Sequence, residues 1–571
     1  MHRFSPAVRI ALTIAIFALP VIFFGLFYFY PLGVILRLGL APEGQPELGV
    51  FGELFRSRRF LRVLWFTTWQ AAVSTILTLI VAFPGAYVLA RYRFPGKTAV
   101  RALATLPFVL PTVVVATAFV ALIGPQGVLN NWLRDLLGLE TGPIRLSQTV
   151  WIILLAHIFY NYSVALRLLG AYWQNLSPAL TQAAQMLGAS PWRAFREVTL
   201  ALLAPAIMAA AVLIFIFSFT SFGVIVILGG PRFATLEVEI YRQALNLFNL
   251  PLAAALSLWQ ILFTFILMWF YTRTQARFSR PLAAGSRHTV EKPVTTWRQK
   301  LLVYGNIAAI VVLIGAPLLA LTSRSFRGQA GPTTVFYRSL FANRGDSLFF
   351  VPPGAAIFNS VVIALAAMVM AVTLGLISAQ MLTRWERSYG KSRGWSSVAA
   401  RLLDPLLMLP LATSAVTLGL GYMIAFGRPP LNLRSSILIL PIVHAVVGLP
   451  FVLRSVLPGF RSIVPSLREA ASVLGADGWR VWREVDWPLV RRPLLVGAVF
   501  AFTISMGEFG ATVFLTRPET PTLPVAIFRF LGRPGALNFG QALAMSVILM
   551  LVCAVAFVVI ERFRTDDESG F

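Results

Sequence analysis

The chain has 571 residues, 58% hydrophobic and 12% charged, which excludes a water-soluble globular domain, where about half are apolar and about a quarter charged. The net charge of +26 calls for no nucleic-acid partner, because Lys and Arg collect in the cytoplasmic loops of membrane proteins. One cysteine, Cys553, excludes an intrachain disulfide and a cysteine metal cluster, and reads as a small buried hydrophobe.

Apolar runs of about 20 residues, each long enough to cross a bilayer as a helix, predict spans at 9–37, 62–90, 99–123, 149–169, 202–229 and 251–272. A second set follows at 301–322, 355–383, 402–426, 435–455, 493–516 and 541–561, making twelve helices. The first run follows Arg3 and Arg9 and exceeds a signal-peptide core, so it is read as an uncleaved membrane helix. Basic segments set the orientation: Arg91, Arg93, Lys97 and Arg101 after the second span, Arg273 to Lys300 in the centre, and Arg384, Arg387, Lys391 and Arg393 after the eighth. An even number of spans then puts both termini in the cytoplasm of a multi-pass plasma (inner) membrane protein. Arg56, Arg58, Arg59 and Arg62 fall on the outer side against this bias, and an amphipathic surface helix is expected there.

The chain divides into a first helix and outer loop (1–61), a repeat core (62–272), a basic cytoplasmic linker (273–300), a seventh helix and outer loop (301–354), a second core (355–562) and a tail (563–571). The repetition is direct. A shift of 287 sets His157 on His444, Arg167 on Arg454, Trp192-Arg193 on Trp479-Arg480, and Arg196-Glu197-Val198 on Arg483-Glu484-Val485. Ser218, Phe222 and Gly223 meet Ser505, Phe509 and Gly510 under the same shift. Six spans per copy make the repeats parallel, related by an axis along the membrane normal, with a solute path on that axis.

Each copy has one long, patterned cytoplasmic loop. Gln182-Ala183-Ala184 through Gly188 and Glu469-Ala470-Ala471 through Gly475 predict a short helix closed by a left-handed glycine cap. Ser190-Pro191 and Asp477 then start a second helix. On it Trp192 with Phe195, and Trp479 with Trp482, share a face flanked by Arg193, Arg196, Arg480 and Arg483. Such a ridge suits either a protein partner or lipid headgroups, and its occurrence as a two-fold pair favours a two-fold partner.

This pattern resembles the coupling-loop signature of binding-protein-dependent ABC importer permeases. The second copy matches throughout (Glu469, Ala470, Ala471, Gly475, Val485, Pro488), whereas the first has Gln182 for Glu and Ala201 for the proline. The resemblance implies an all-α type I importer permease fold, two copies of a separate ABC ATPase under the loops, and an extracytoplasmic solute-binding protein on segments 231–250 and 517–540. No cofactor is expected on this chain, with ATP and Mg held by the ATPase. The fused double length is similar to the thiamine and ferric-iron permease families. Ser221-Phe222-Gly223, Leu228-Gly229-Gly230-Pro231 and His157 to Asn161 look most like the thiamine branch, with iron or an oxyanion as the alternative.

Gly96-Lys97-Thr98 and Gly390-Lys391-Ser392 imitate the end of a phosphate-binding loop, but Arg91 and Trp385 stand where its first glycine belongs. No catalytic constellation or metal-ligand cluster is evident, and His157 and His444 are read as core histidines bonded to backbone. Glu508 is costly inside a membrane helix and, with Gly510 and the repeat-related Ser221 and Gly223, is expected to line the path and favour a cationic solute. Alternatively it pairs with an arginine or a hydrogen-bond donor across an interface. A secondary transporter of six-plus-six helices is the rival class.

Overall fold

A computed structural model describes residues 6–42, 45, 49–278, 291–328, 331–342, 352–389, 395–427, 429 and 431–564. Parts of the expected linker (279–290), of the basic loop near Lys391 and Arg393 (390–394) and of the tail (565–571) lie outside the described residues.

Among the described residues eleven helices are long and apolar enough to cross a membrane, and a bent pair makes a twelfth. The first half supplies Ala15–Leu40, Arg58–Arg91, Thr112–Leu137, Val150–Gln174, Pro191–Phe219 and Leu250–Arg273. The second supplies Trp297–Ser325, Pro353–Glu386, the pair Leu402–Leu411 and Ala415–Ala425, Ile439–Ser462, Gly478–Gly507 and Ala536–Arg562.

Two expected straight spans are broken. The 99–123 run is a helix Lys97–Thr105, a 3-10 turn Leu106–Phe108 and a helix Thr112–Ile123. The 402–426 run bends by 94° around the 3-10 turn Leu409–Leu411. Proline explains both, since Pro107, Pro111 and Pro410 remove backbone donors at the breaks. The runs 202–229 and 493–516 also stop early, at Phe219 and Gly507, and restart as short helices Gly223–Leu228 and Thr512–Leu515.

The equivalent 3-10 turns lie 303 apart (409 − 106), whereas later positions lie 287 apart. The first half therefore carries 16 extra residues between them (303 − 287), in the region holding the helix Val128–Leu137. Repetition also reaches the first helices, which each contain a π-helical turn, Gly25–Phe29 and Val311–Gly315, followed by Pro31 and Pro317.

Those first helices cross over. Tyr30–Leu40 packs on Ala415–Ala425 of the second half, and Ala316–Ser325 packs on Thr112–Ile123 of the first. Tyr28 and Thr413 share a hydrogen bond of 2.6 Å, and Phe24 and Tyr28 join the second half's core. Gly421 permits the close approach, because a Cβ there would lie 3.1 Å from the Cβ of Pro31. Each half is thus clasped by the other's arm, and the two bury a shared apolar core.

The expected outer-side arginine helix is present in part. Gly49–Arg56 is helical and ends where Ser57 caps the long helix Arg58–Arg91. Arg59 reaches the buried Glu239 at 3.0 Å, so the cluster has a partner within the fold. The linker end is tied down: Lys292-Pro293 pairs with Tyr92-Arg93, and Lys97 binds Glu291 at 2.8 Å. Lys97 of the false phosphate loop is committed to that ion pair.

Candidate docking loops and axial site

The two patterned loops fold alike. The helices Pro178–Met186 and Pro465–Val473 end on Gly188 and Gly475, whose φ angles of 89° and 82° are the left-handed values that favour glycine. The carbonyls of Ala183 and Ala184 accept from Leu187 and Ala189 at 3.0 Å each, and those of Ala470 and Ala471 accept from Leu474 and Ala476 at 3.1 and 3.0 Å. The small alanines thus supply the last acceptors of a compact C-cap. Ser190 Oγ accepts from the Arg193 N–H at 3.2 Å and Asp477 Oδ1 from the Arg480 N–H at 2.9 Å, as the cap residues predict.

After one turn both loops widen into π-helical turns, Phe195–Thr199 and Trp482–Asp486, and run on into the membrane helices. Trp192 stacks on Phe195 at 5.6 Å and Trp479 on Trp482 at 5.0 Å. Arg193 binds Glu197 and Arg480 binds Glu484, each at 3.1 Å. Arg196 leans on Glu197 at 3.4 Å, while Arg483, Gln182 and Glu469 are exposed. Phe195 and Trp482 are half-buried, so the exposed part of each ridge is its tryptophan. The loop tips carry more apolar surface than the sequence reading named: Met186 and Leu187 are each 89% exposed, and Val473 and Leu474 each 87%. Each loop thus exposes a contiguous apolar tip beside its stacked aromatic pair.

The loops differ at their base. Arg468 binds Asp486 at 2.7 Å in the second, where Thr181 and Thr199 share a hydroxyl contact of 3.1 Å in the first. The expected inequality at Gln182 and Glu469 therefore has a packed counterpart one residue earlier.

Within the membrane the two histidines are bonded to side chains, which corrects the expectation of backbone partners. His157 sits between Ser74 and Ser221, at 3.0 and 2.9 Å, and His444 between Ser505 and Thr512, at 2.7 and 2.8 Å. Glu508 lies 3.4 Å from His444 Nε2, so the histidine meets position 221 in one repeat and its equivalent 508 in the other. Both Glu508 oxygens are occupied: Oε1 accepts from the Ala511 N–H at 2.8 Å, and Oε2 accepts from the Thr512 N–H at 2.9 Å and from the Thr512 hydroxyl. The carboxylate thereby caps the helix Thr512–Leu515 at a break where the backbone would otherwise leave donors unpaired. In this conformation its partners are neither an arginine nor a donor across an interface but Ala511 and Thr512 of its own segment, with His444 of the same half nearby.

Gly223 and Gly510 mark close approaches. A Cβ on Gly223 would strike the Thr112 hydroxyl, and one on Gly510 would lie 3.0 Å from the Ala415 Cβ. Beside them Phe222 and Phe509, repeat equivalents, stack on each other. Sequence reasoning paired these two by register and missed their contact. Glu237, to which sequence reasoning gave no structural role, is fully buried and accepts from Gln260 and from Ser414 of the other half, the latter at 2.8 Å. Its one signal was the pair of acids Glu237 and Glu239 at the start of a helix beside the membrane. Among the described residues no group of His, Cys, Asp and Glu is placed to hold a metal ion.

Residues 82–280 and 371–565 each match the family described as binding-protein-dependent transport system inner membrane component. The thiamine transport system permease protein ThiP of Brucella abortus is 28% identical over 544 residues, 94% of each chain. That of Escherichia coli is 28% identical over 505 residues, 88% of each chain. A probable ABC transporter permease protein of Sinorhizobium fredii, y4fN, is 27% identical over 91% of each chain. Among solved structures, a bacterial ABC transporter importing the acidic polysaccharide alginate matches at 21% identity with a TM-score of 0.41, covering 48% of this chain and 97% of that one. The family match sets aside a six-plus-six secondary transporter, and the chain is a multi-pass inner-membrane permease. Its two matched segments, holding both patterned loops and both helix breaks, make it a member of the binding-protein-dependent transport system inner membrane component family, with two copies of the module in one polypeptide.

Proposed function

We propose that this chain forms the whole membrane path of an ATP-driven importer for thiamine. The observation that carries the reading is the pair of loops with equivalent glycine caps, stacked aromatics and bare apolar tips. With the bent pair counted as one crossing, six spans separate these loops, so both lie on one face of the membrane. Two copies of an ATPase subunit, carrying ATP and Mg, dock there by Trp192 and Trp479 with the tips at Leu187 and Leu474. Both chain termini share that cytoplasmic side.

A solute-binding protein docks opposite, on segments 231–250 and 517–540. Closure of the ATPases draws the loops together and re-aims the two halves, which alternate between two packings. The path runs along the axis between the breaks at Ser221 to Gly223 and at Glu508 to Gly510. Glycine lets the backbones close there, and Glu508 acts through the fold of its own segment. Thiamine as cargo is supported by the relatives named thiamine permeases, which cover nearly the full chain.

The test is reconstitution of the chain with a co-expressed ATPase and binding protein in proteoliposomes. ATP-dependent uptake of thiamine is expected, with two ATPase subunits per chain. Uptake driven by an ion gradient without ATP, or an ATPase that fails to co-purify, overturns the reading.

A further inference from the structure

The rings of Phe222 and Phe509 stack with 5.3 Å between centroids and 22° between planes. The two residues are 287 apart and so occupy equivalent positions in the repeats. A side chain that meets its own repeat-mate lies on the axis relating the halves. Tyr241 packs behind Phe222 at 5.4 Å, and its equivalent Phe528 packs behind Phe509 at 5.3 Å. Four rings thus cross the boundary between halves in the order Tyr241, Phe222, Phe509, Phe528. Any solute moving along the axis must separate the central pair.

The surroundings hold these rings face to face. Each phenylalanine lies at the break that follows a membrane helix and is followed by a glycine where the other strand of chain approaches closely. A Cβ on Gly223 would sit 3.4 Å from the Phe509 ring, so a side chain there would crowd the stack. Both rings are almost fully buried in this conformation.

We propose that Phe222 and Phe509 form an axial slot that accepts a planar heteroaromatic ring of the solute between their faces as the halves part. Two rings enclosing a third stand about 7 Å apart, twice a stacking distance of about 3.5 Å. Parting the observed pair by about 2 Å therefore opens the slot, a shift of the size by which packed helices slide. A planar ring gains two stacked faces there, whereas an aliphatic or hydrated solute gains neither. Tyr241 and Phe528 back the slot and keep its walls parallel. The inference rests on the proposed aromatic cargo.

The experiment uses the reconstituted complex with thiamine as probe, comparing Phe222→Leu/Phe509→Leu, which stays apolar and loses the aromatic faces, with Phe222→Tyr/Phe509→Tyr, which keeps the faces. Thiamine moved per ATP hydrolysed is expected to fall about ten-fold in the leucine pair and to stay near wild type in the tyrosine pair. ATPase co-purification is expected to be unchanged in both. If the leucine pair fails to assemble, each single leucine variant is measured the same way, with a loss of about three-fold expected. Leucine variants that couple thiamine movement like wild type overturn the slot and leave the cargo reading standing. A wild-type complex that carries only a non-aromatic solute overturns both.

Discussion

Arg468 donates to Asp486 at 2.7 Å across the base of the second docking loop, at positions equivalent to Thr181 and Thr199 in the first. The pair is only partly exposed, so removing one partner leaves a charge with little water to solvate it. Asp486→Ala is expected to destabilise the second loop by about 1–3 kcal/mol. Thr199→Ala, which removes only a hydroxyl contact, is expected to cost under about 1 kcal/mol. Hydrogen exchange over 465–486 and 178–199 checks the difference. Equal protection losses in the two loops would contradict the assigned inequality.

Gly475 takes a left-handed φ of 82° with nothing within contact distance of a hypothetical Cβ. Substitution there strains the backbone without a clash inside the chain. Gly475→Asn, which tolerates that conformation, is expected to bind ATPase nearly normally. Gly475→Arg adds strain of about 1–2 kcal/mol and bulk beside the apolar tip, and is expected to insert into the membrane yet lose its ATPase. Pull-down stoichiometry from purified membranes reads this directly. An arginine variant with a full complement of ATPase would sink the docking assignment.

Glu508 accepts from two backbone N–H groups and a hydroxyl, and lies 3.4 Å from His444 Nε2. Glu508→Gln places an amide NH2 against at least one of these donors and is expected to cost about 2–3 kcal/mol. The thermal midpoint in detergent should fall, while thiamine transport per folded molecule is retained. Transport lost at unchanged thermal stability would instead return the carboxylate to direct contact with solute.

Ser414 Oγ donates to Glu237 across the halves and also accepts from the Val416 and Thr417 N–H groups at the 94° bend. Ser414→Ala removes a helix cap and leaves a buried carboxylate short of a donor, for a combined cost of about 2–4 kcal/mol. Ser414→Thr is expected to recover most of it, as measured by thermal unfolding. An alanine variant as stable as wild type would show that the cross-half bond contributes nothing.

Much of this architecture is already in the sequence, because a bilayer reduces the choice to apolar helices of set length and loops with a charge bias. The twelve runs, the offset that pairs Trp192 with Trp479, and the caps at Ser190, Asp477, Gly188 and Gly475 are local properties. Propensity and left-handed geometry write them into adjacent residues. The proline breaks at Pro107 and Pro410 were equally local, yet hydropathy passes through them, since an apolar window is blind to a missing N–H.

Contacts between distant segments had no such signature. The crossing of each first helix onto the other half depends on Gly421 meeting Pro31, two residues that look ordinary in their own runs. Glu508 reads alone as a costly charge, and only the fold brings Ala511, Thr512 and His444 around it to satisfy it. Register alone equated Phe222 with Phe509, while their meeting on the axis required the halves to be packed. Pattern along the chain determined the helices, their repetition and the capped loops at 178–199 and 465–486. Packing between remote helices decided which polar groups are spent on the structure and which rings meet between the halves, because pairing energies there depend on separations of a few ångströms that no single segment encodes.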